Sequence, residues 1–247
     1  MKKVDAFWEL RNLDKTVLEV EFDDKDTTDC LNILSSDFET YDYIVTKIPK
    51  GRLDLVHSLE DRGFRFMETQ IELSYNLNKH TKASSYVKKL SDQTQYKQVT
   101  TLDQLNALLS RIDDDLFITD RVSLDPLLGT TTAHNRYLNW LTDAFHTGNA
   151  AIYEVELKSR DIGFFYSSPL DDTTIYGALA SVYKKYRNRG LGLIVLETAF
   201  NWAKKEGYSK IVTRVSSNNL EALRANLNLG FESKNMHYIL RKANFEY

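Results

Sequence analysis

The sequence predicts an α/β protein, of the α+β kind, and three observations carry that expectation. First, the strand formers of Thr174–Ser181 run into a basic, glycine-containing turn, Tyr183-Lys184-Lys185-Tyr186-Arg187-Asn188-Arg189-Gly190. A helix follows it, with Leu191, Ile194, Val195, Ala199, Trp202 and Ala203 on one stripe and Gly207 to close it. Second, the same order recurs at once: a strand over Lys210–Val215, then a helix through Leu220, Leu223 and Leu227, closed by Gly230. Third, Ala150–Leu157 and Ile162–Tyr166 alternate as strands across a tight turn at Ser159-Arg160-Asp161. Phe231 and His237–Leu240 belong to the last strands.

The basic turn is where chemistry concentrates. A strand–turn–helix of this kind aims several free backbone N–H groups in one direction, and the helix dipole adds positive potential there. Arg187 and Arg189 add full charges, so the expected ligand is an anion of two or more phosphates.

Composition narrows the class. A chain of 247 residues with 42% hydrophobic and 12% aromatic residues can bury a large core. A net charge of −3 argues against a general nucleic-acid or membrane-surface role. No apolar run is long enough to span a bilayer, and the charged N-terminus does not read as a signal peptide. The lone Cys30 excludes an internal disulfide and fits a reducing, cytoplasmic setting. Five scattered histidines give no metal-ligand spacing, so no metal is expected. Asp23, Asp24 and Asp26 read as a solvated loop.

In chain order, residues 1–80 read as a small N-terminal α/β domain. Tyr43–Ile48 is a strand stopped at Pro49-Lys50-Gly51, a short helix carries Leu53, Leu55, Val56 and Leu59 to Gly63, and Thr69–Leu77 alternates as a half-buried strand. Polar residues 81–95 read as a linker, and 96–247 as the second domain. It opens on a strand over Tyr96–Thr100 and a helix capped by Thr101 with Gln104 as capping-box partner. Asp120–Pro126 follows, then a hydroxyl-rich loop over Gly129–His134 and a helix with Tyr137, Leu138, Leu141 and Phe145 inward. Arg121, Asp125, His134 and Arg136 leave two readings open: an Asp-Pro turn with surface arginines and a helix cap, or an acceptor site.

Arg187-x-x-Gly190-x-Gly192 resembles the pyrophosphate loop of the GNAT acyl-CoA N-acyltransferases, and it is neither a dinucleotide fingerprint nor a P-loop. Val215-x-x-x-Asn219-x-x-Ala222 followed by Gly230-Phe231 is similar to the strand-to-helix segment of the same family. The resemblance covers residues 96 to 242 and implies a GNAT fold with a mixed, mostly antiparallel sheet. It implies that Arg187, Asn188, Arg189, Gly190, Leu191 and Gly192 hold the pyrophosphate of acetyl-CoA. Ala180, Ser181 and Val182 would align the pantetheine through main-chain bonds, with Asn219 contacting the same arm. The family tyrosine that protonates the leaving thiolate is replaced by Asn226, which has no proton to give at neutral pH, so the expected catalytic role is that Asn226, or a water, hydrogen-bonds the leaving thiolate.

The preceding α/β domain, the Arg-x-x-x-Asp-Pro segment and the Arg-Tyr-x-x-Trp helix resemble one branch, the dTDP-amino-sugar (dTDP-fucosamine-type) N-acetyltransferases. That resemblance implies acetyl transfer from acetyl-CoA to a dTDP-linked 3-amino or 4-amino dideoxyhexose for cell-surface polysaccharide, by a cytoplasmic homodimer. It turns Arg121, Asp125 and Arg136 toward the acceptor, with Tyr176 positioning it and His134 the base by residue type. The alternatives are a peptide, polyamine or aminoglycoside amine as acceptor, or a non-catalytic acetyl-CoA sensor.

Overall fold

The computed structural model describes residues 1–79, 83–148 and 151–245. The first half contains β1 (Lys2–Asp5), a 3-10 turn at Phe7–Glu9, α1 (Leu10–Leu13), β2 (Val17–Glu21), α2 (Cys30–Ile33), α3 (Ser35–Thr40), β3 (Tyr43–Pro49), α4 (Leu53–Glu60) and β4 (Arg65–Asn76). Next come α5 (Ser85–Ser91), β5 (Thr94–Gln98), α6 (Leu102–Leu109), α7 (Arg121–Leu124) and α8 (Gly129–Thr147). The second half continues with β6 (Ala151–Leu157), β7 (Arg160–Pro169), β8 (Thr174–Val182), a 3-10 turn at Lys184–Tyr186, α9 (Leu191–Lys205), β9 (Lys210–Ser216), α10 (Leu220–Leu229) and β10 (Glu232–Ala243).

Several local signals act as the sequence predicts. Thr101 and Gln104 form the capping box of α6. Gly63, Gly207 and Gly230 take positive φ after their helices. The β6–β7 hairpin turns on Lys158 and Ser159, both left-handed, the backbone a two-residue hairpin of the right twist requires.

Two stretches differ from expectation. Gly129–His134 is not a loop but the first turns of α8. Threonine is a weak helix former, yet Thr132 returns its hydroxyl proton to the Leu128 carbonyl at 2.9 Å, and Ala133 is buried against the sheet. The polar stretch 81–95 contains a helix, α5, capped by Ser84; Val87 and Ser91 are buried, and Thr94 and Thr198 share a hydroxyl bond of 2.8 Å that ties the stretch to α9. Residues 80–82 and Ala150, on which the expected domain boundary, linker and strand partly fall, lie outside the described residues.

The expected division near residues 80 and 96 is not a division of the sheet. All ten strands form one sheet in the order β1-β2-β3-β10-β4-β9-β8-β7-β6-β5. That order is symmetric about the antiparallel β10–β4 pair. On one side β10 pairs with β3, β3 with β2 in parallel, and β2 with β1; on the other β4 pairs with β9, β9 with β8 in parallel, and β8 with β7. The units β3-α4-β4 and β9-α10-β10 correspond without insertion. Ile44, Val45, Thr46, Leu53, Gly63 and Phe64 match Ile211, Val212, Thr213, Leu220, Gly230 and Phe231. Each unit sends its last strand into the other's core: Leu73 is buried with α9 and α10, and its counterpart Leu240 with the α4 core. A β-α-β repeat with exchanged final strands therefore builds the centre of the molecule.

Helices α9 and α10 cover one face of the second half. Helices α6 and α8 cover the other, where Leu105, Leu108 and Leu141 meet Ile152, Phe164 and Tyr166. Through α7 and the start of α8, this second layer continues over the first half, packing Val122 and Ala133 on Val17, Tyr43, Val45 and Ile239.

Candidate active site

The site grows from a defect in the sheet. β8 and β9 pair only from Thr174↔Lys210 to Tyr176↔Val212. Beyond that point, β8 carries an extra residue, Ala178, against β7, where Tyr166↔Leu179 is followed by Ser167↔Gly177. A bulge of this kind bends and twists its strand. The Gly177 carbonyl accepts from the Thr213 hydroxyl at 2.8 Å instead of from a ladder amide. Gly177–Ser181 consequently stay partly or fully accessible, although β8 lies well inside a ten-stranded sheet. The strand presents an unpaired edge to a cleft, a surface on which an extended amide-bearing chain can pair as another strand would. Ala180, Ser181 and Val182 lie along it.

β8 is held rigidly on its far side. A Cβ on Gly163 would lie 2.1 Å from the Ser181 carbonyl oxygen, so only glycine lets β7 approach β8 this closely.

At the end of the cleft the chain turns through Lys184–Tyr186, takes positive φ at Asn188 (61°) and Gly190 (71°), and enters α9 with no side-chain cap. The N–H groups of Asn188, Arg189, Gly190, Leu191 and Gly192 meet no backbone acceptor among the described residues. A Cβ at Gly190 or Gly192 would have nothing within 4 Å, so a ligand can come up to the backbone there. The donors, the clear approach and the helix dipole fit a pyrophosphate. The two loop arginines divide. Arg189 is exposed with no ion-pair partner among the described residues, whereas Arg187 is bound to Asp115 (2.7 Å), Asp113 (3.5 Å) and the Val182 carbonyl (3.3 Å). Arg187 thus fastens the loop to the segment after α6. Asn219 caps α10, its side-chain oxygen accepting from the Ala222 N–H at 3.0 Å.

On the α8 face of the sheet lies a cluster of aromatic rings. Tyr137 stacks on Phe117 at 3.9 Å between centroids, and Trp140 meets the edge of Tyr166 at 5.7 Å. The Tyr176 ring lies 5.9 Å from the Arg214 guanidinium. Tyr137, Trp140 and Tyr176 remain partly exposed. Tyr176 and Arg214 also line a cavity of about 270 Å³ with Lys210 and Glu72.

Three residues expected at the acceptor are anchors instead. Asp125 is completely buried and accepts from the Tyr43 hydroxyl (2.7 Å), Arg241 Nε (2.8 Å), Arg241 Nη2 (3.0 Å) and the Leu127 N–H (3.0 Å). Burial pushes its carboxyl up, but Arg241 and these donors outweigh it and hold the group below the usual range. With its lone pairs taken, Asp125 has nothing to offer an acceptor. Arg136 binds Glu9, which is 2% exposed, through Nε at 2.8 Å and Nη2 at 2.6 Å. Arg121 reaches Glu19 at 3.3 Å. All three fix α7 and α8 to the first half.

His134 has no carboxylate partner, and its Nδ1 is buried without a hydrogen bond. Asn226 is 6% exposed and donates back to the Ala222 carbonyl of its own helix at 2.8 Å, so it does not face the cleft. No group of three or more His, Cys, Asp or Glu among the described residues could hold a metal ion, and no described helix is long and apolar enough to cross a membrane.

The residues that sequence reasoning missed sit where α7 and α8 meet the start of β4. Glu68 is 4% exposed with Oε2 unpartnered, beside Asp120, Arg121 and Ser216. Burial raises its carboxyl above the usual range and Asp120 adds to the rise, while Ser216 and Arg121 offset part of it. Tyr137 is raised by burial and by the nearby Asp120 carboxylate.

Splayed parallel strands leading to a basic glycine turn and a helix N-terminus define the GNAT fold, a mixed α/β architecture with a mostly antiparallel sheet. A family model described as the acetyltransferase (GNAT) family matches residues 119–231, a little under half of the chain, which span α8, β8, the loop and α10.

Among solved structures, a conserved protein of unknown function from Staphylococcus epidermidis aligns with a TM-score of 0.63 and 12% identity, covering 93% of this chain and 84% of its own. A GCN5-related N-acetyltransferase from Kribbella flavida aligns with a TM-score of 0.57 and 13% identity, over 94% and 82%. A GCN5-related glucosamine N-acetyltransferase region of a fungal multi-domain β-N-acetylglucosaminidase aligns with a TM-score of 0.60 and 13% identity, over 81% of this chain and 25% of that one. At these identities the likeness is one of fold. No curated protein matches the sequence.

Proposed function

We propose that this protein moves the acetyl group of acetyl-CoA to the amine of a dTDP-linked 3-amino or 4-amino dideoxyhexose, for a cell-surface polysaccharide made from the cytoplasm. The observation that carries the sugar half of this reading is the cluster of partly exposed aromatic rings on the α8 face of the sheet. Tyr137, Trp140 and Tyr176 offer partly exposed ring faces for the C–H surface of a pyranose. Arg214 and the exposed Lys210, beside the Tyr176 ring, supply cations for a diphosphate. An amino sugar is also the acceptor named for the fungal region of similar fold.

The chain's own groups divide the work. Amides of Asn188–Gly192, with Arg189, bind the coenzyme's diphosphate. The free edge of Gly177–Val182 aligns its arm, and the N–H groups there can polarise a thioester oxygen. Acetyl-CoA supplies the activated acyl group. Holding acceptor and donor on the two sides of β8 replaces a bimolecular encounter by a unimolecular one.

The test is coenzyme A release over dTDP-3-amino and dTDP-4-amino dideoxyhexoses, glucosamine, spermidine and a lysine peptide, with product masses. One sugar nucleotide should gain one acetyl group. Turnover confined to spermidine or the peptide would overturn the sugar assignment.

A further inference from the structure

We propose that Glu68, supplied by the first half of the chain, is the proton acceptor for the incoming amine, and that Asp120 and Tyr137 complete an ammonium-binding cradle with it. The inference rests on the acetyl-transfer reading above but not on the identity of the amine.

The argument starts from missing donors. Buried polar atoms are normally satisfied, and an exposed-to-nothing carboxylate oxygen is a costly feature for a fold to keep. Here there are two, close together. Glu68 Oε2 has no partner, and neither does Asp120 Oδ2. The other oxygen of Asp120 is fully employed, accepting from the Val122 and Ser123 N–H groups at 2.7 and 3.0 Å, which fixes the direction of its free oxygen. Tyr137 places its ring on the same cluster and interacts with both carboxylates. Glu68 interacts with Ser216 from β9, with Asp120 and Arg121 at the start of α7 and with Tyr137 from α8, and it pairs with Ile239 of β10. Arg121 and Arg136 are the cations beside the cluster, and both guanidinium groups are already engaged, by Glu19 at 3.3 Å and by Glu9 at 2.6 Å. The Tyr137 hydroxyl donates to Asp120 and the Ser216 hydroxyl to Glu68, which still leaves Glu68 Oε2 and Asp120 Oδ2 without N–H donors. A primary ammonium brings three.

Position supports the match. Glu68 lies at the start of β4, next to the last residue of β9 and on the α8 face, where Tyr137 belongs to the aromatic cluster. Its counterpart in the repeat is Asn235, so the charge is specific to the copy beside the splayed strands.

The proton balance is straightforward. An acceptor bound as ammonium gives one proton to Glu68. The freed pair on nitrogen then forms the N–C bond as the C–S bond breaks. The second proton that nitrogen loses on becoming an amide passes through solvent to the leaving thiolate, and Glu68 returns its proton to water. A carboxyl raised by burial accepts a proton from an amine more readily than an ordinary one.

Glu68→Gln keeps shape and removes the base. With the most active amine of the panel, kcat should fall about 100-fold or more, within the range typical of a lost general base. The rise of kcat with pH should flatten, and the Kd for acetyl-CoA measured by calorimetry should stay within about twofold, since the coenzyme groove is untouched. The same variant should melt higher than wild type, because an unpaired buried charge is gone. Asp120→Asn should instead raise KM for the amine about tenfold, losing one charge-assisted contact. Should Glu68→Gln fail to fold, Asp120→Asn and Tyr137→Phe carry the test through KM. Wild-type rate and pH profile in Glu68→Gln would overturn the inference and leave acetyl transfer standing. A wild type that acetylates no amine would end both.

Discussion

In the first half of the molecule β2 and β3 stay paired over five residues, from Val17↔Tyr43 to Glu21↔Lys47; in the second, β8 and β9 part after three, at Tyr176↔Val212. The pairs run in the same register up to that point, so the difference is local. Where the first copy continues with Val20↔Thr46, and seals the next rung with a 3.0 Å Lys47–Glu21 ion pair, the second has Gly177 facing Thr213 and a bulge at Ala178. Its Arg214, the counterpart of Lys47, turns to Glu72 on β4 instead. The closed copy buries Val20 and Phe22 around α4, while the open one leaves Gly177–Ser181 accessible. One repeat pairs its parallel strands fully and the other leaves an open edge, while the layer of α7 and α8 packs over both halves.

The comparison can be broken at its joint. Asp125→Ala leaves Arg241 and Tyr43 unanswered between the halves and should remove about 3–5 kcal/mol of stability, as breaking a buried ion pair does. Both halves should still melt in one transition by calorimetry if they are one unit. The low-lying Asp125 carboxyl contributes stability that is present above the unfolded aspartate range and is lost as pH falls through its folded value, so the variant's stability should depend less on acid. Ala180→Trp fills the open edge and should weaken acetyl-CoA about 100-fold, roughly 2.7 kcal/mol, by calorimetry. Tryptophan at Asp23, the equivalent place beyond β2, should leave that affinity alone. Gly163→Ala forces β7 away from Ser181 and should lower stability by about 1–3 kcal/mol in thermal melts, the range for overpacking. Thr213→Val takes the hydroxyl from the Gly177 carbonyl and should shift stability by only about 1 kcal/mol, with a small loss of acetyl-CoA affinity if it helps hold the strands apart.

Local signals told the sequence its elements: the glycine stops at Gly63, Gly207 and Gly230, the Thr101–Gln104 box, and the phosphate-loop backbone of Asn188–Gly192. These depend on neighbours a few residues apart, and such interactions are written in order along the chain. Pairing between distant segments is not. That β4 would slide between β9 and β10, making two expected domains share one sheet, rests on strand partners far apart in sequence. Arg121, Asp125 and Arg136 drew notice for being more polar than a connector needs, and only the packed molecule showed Glu19, Arg241 and Glu9 waiting for them. Glu68 drew none. Its neighbours Gln70, Glu72 and Ser74 alternate in sequence with Ile71, Leu73 and Tyr75, and a glutamate in that polar phase reads as solvated. It becomes a buried carboxyl with one oxygen unpartnered because α7 and α8 close over it, and desolvation by a distant segment is a property of the fold that no local pattern encodes.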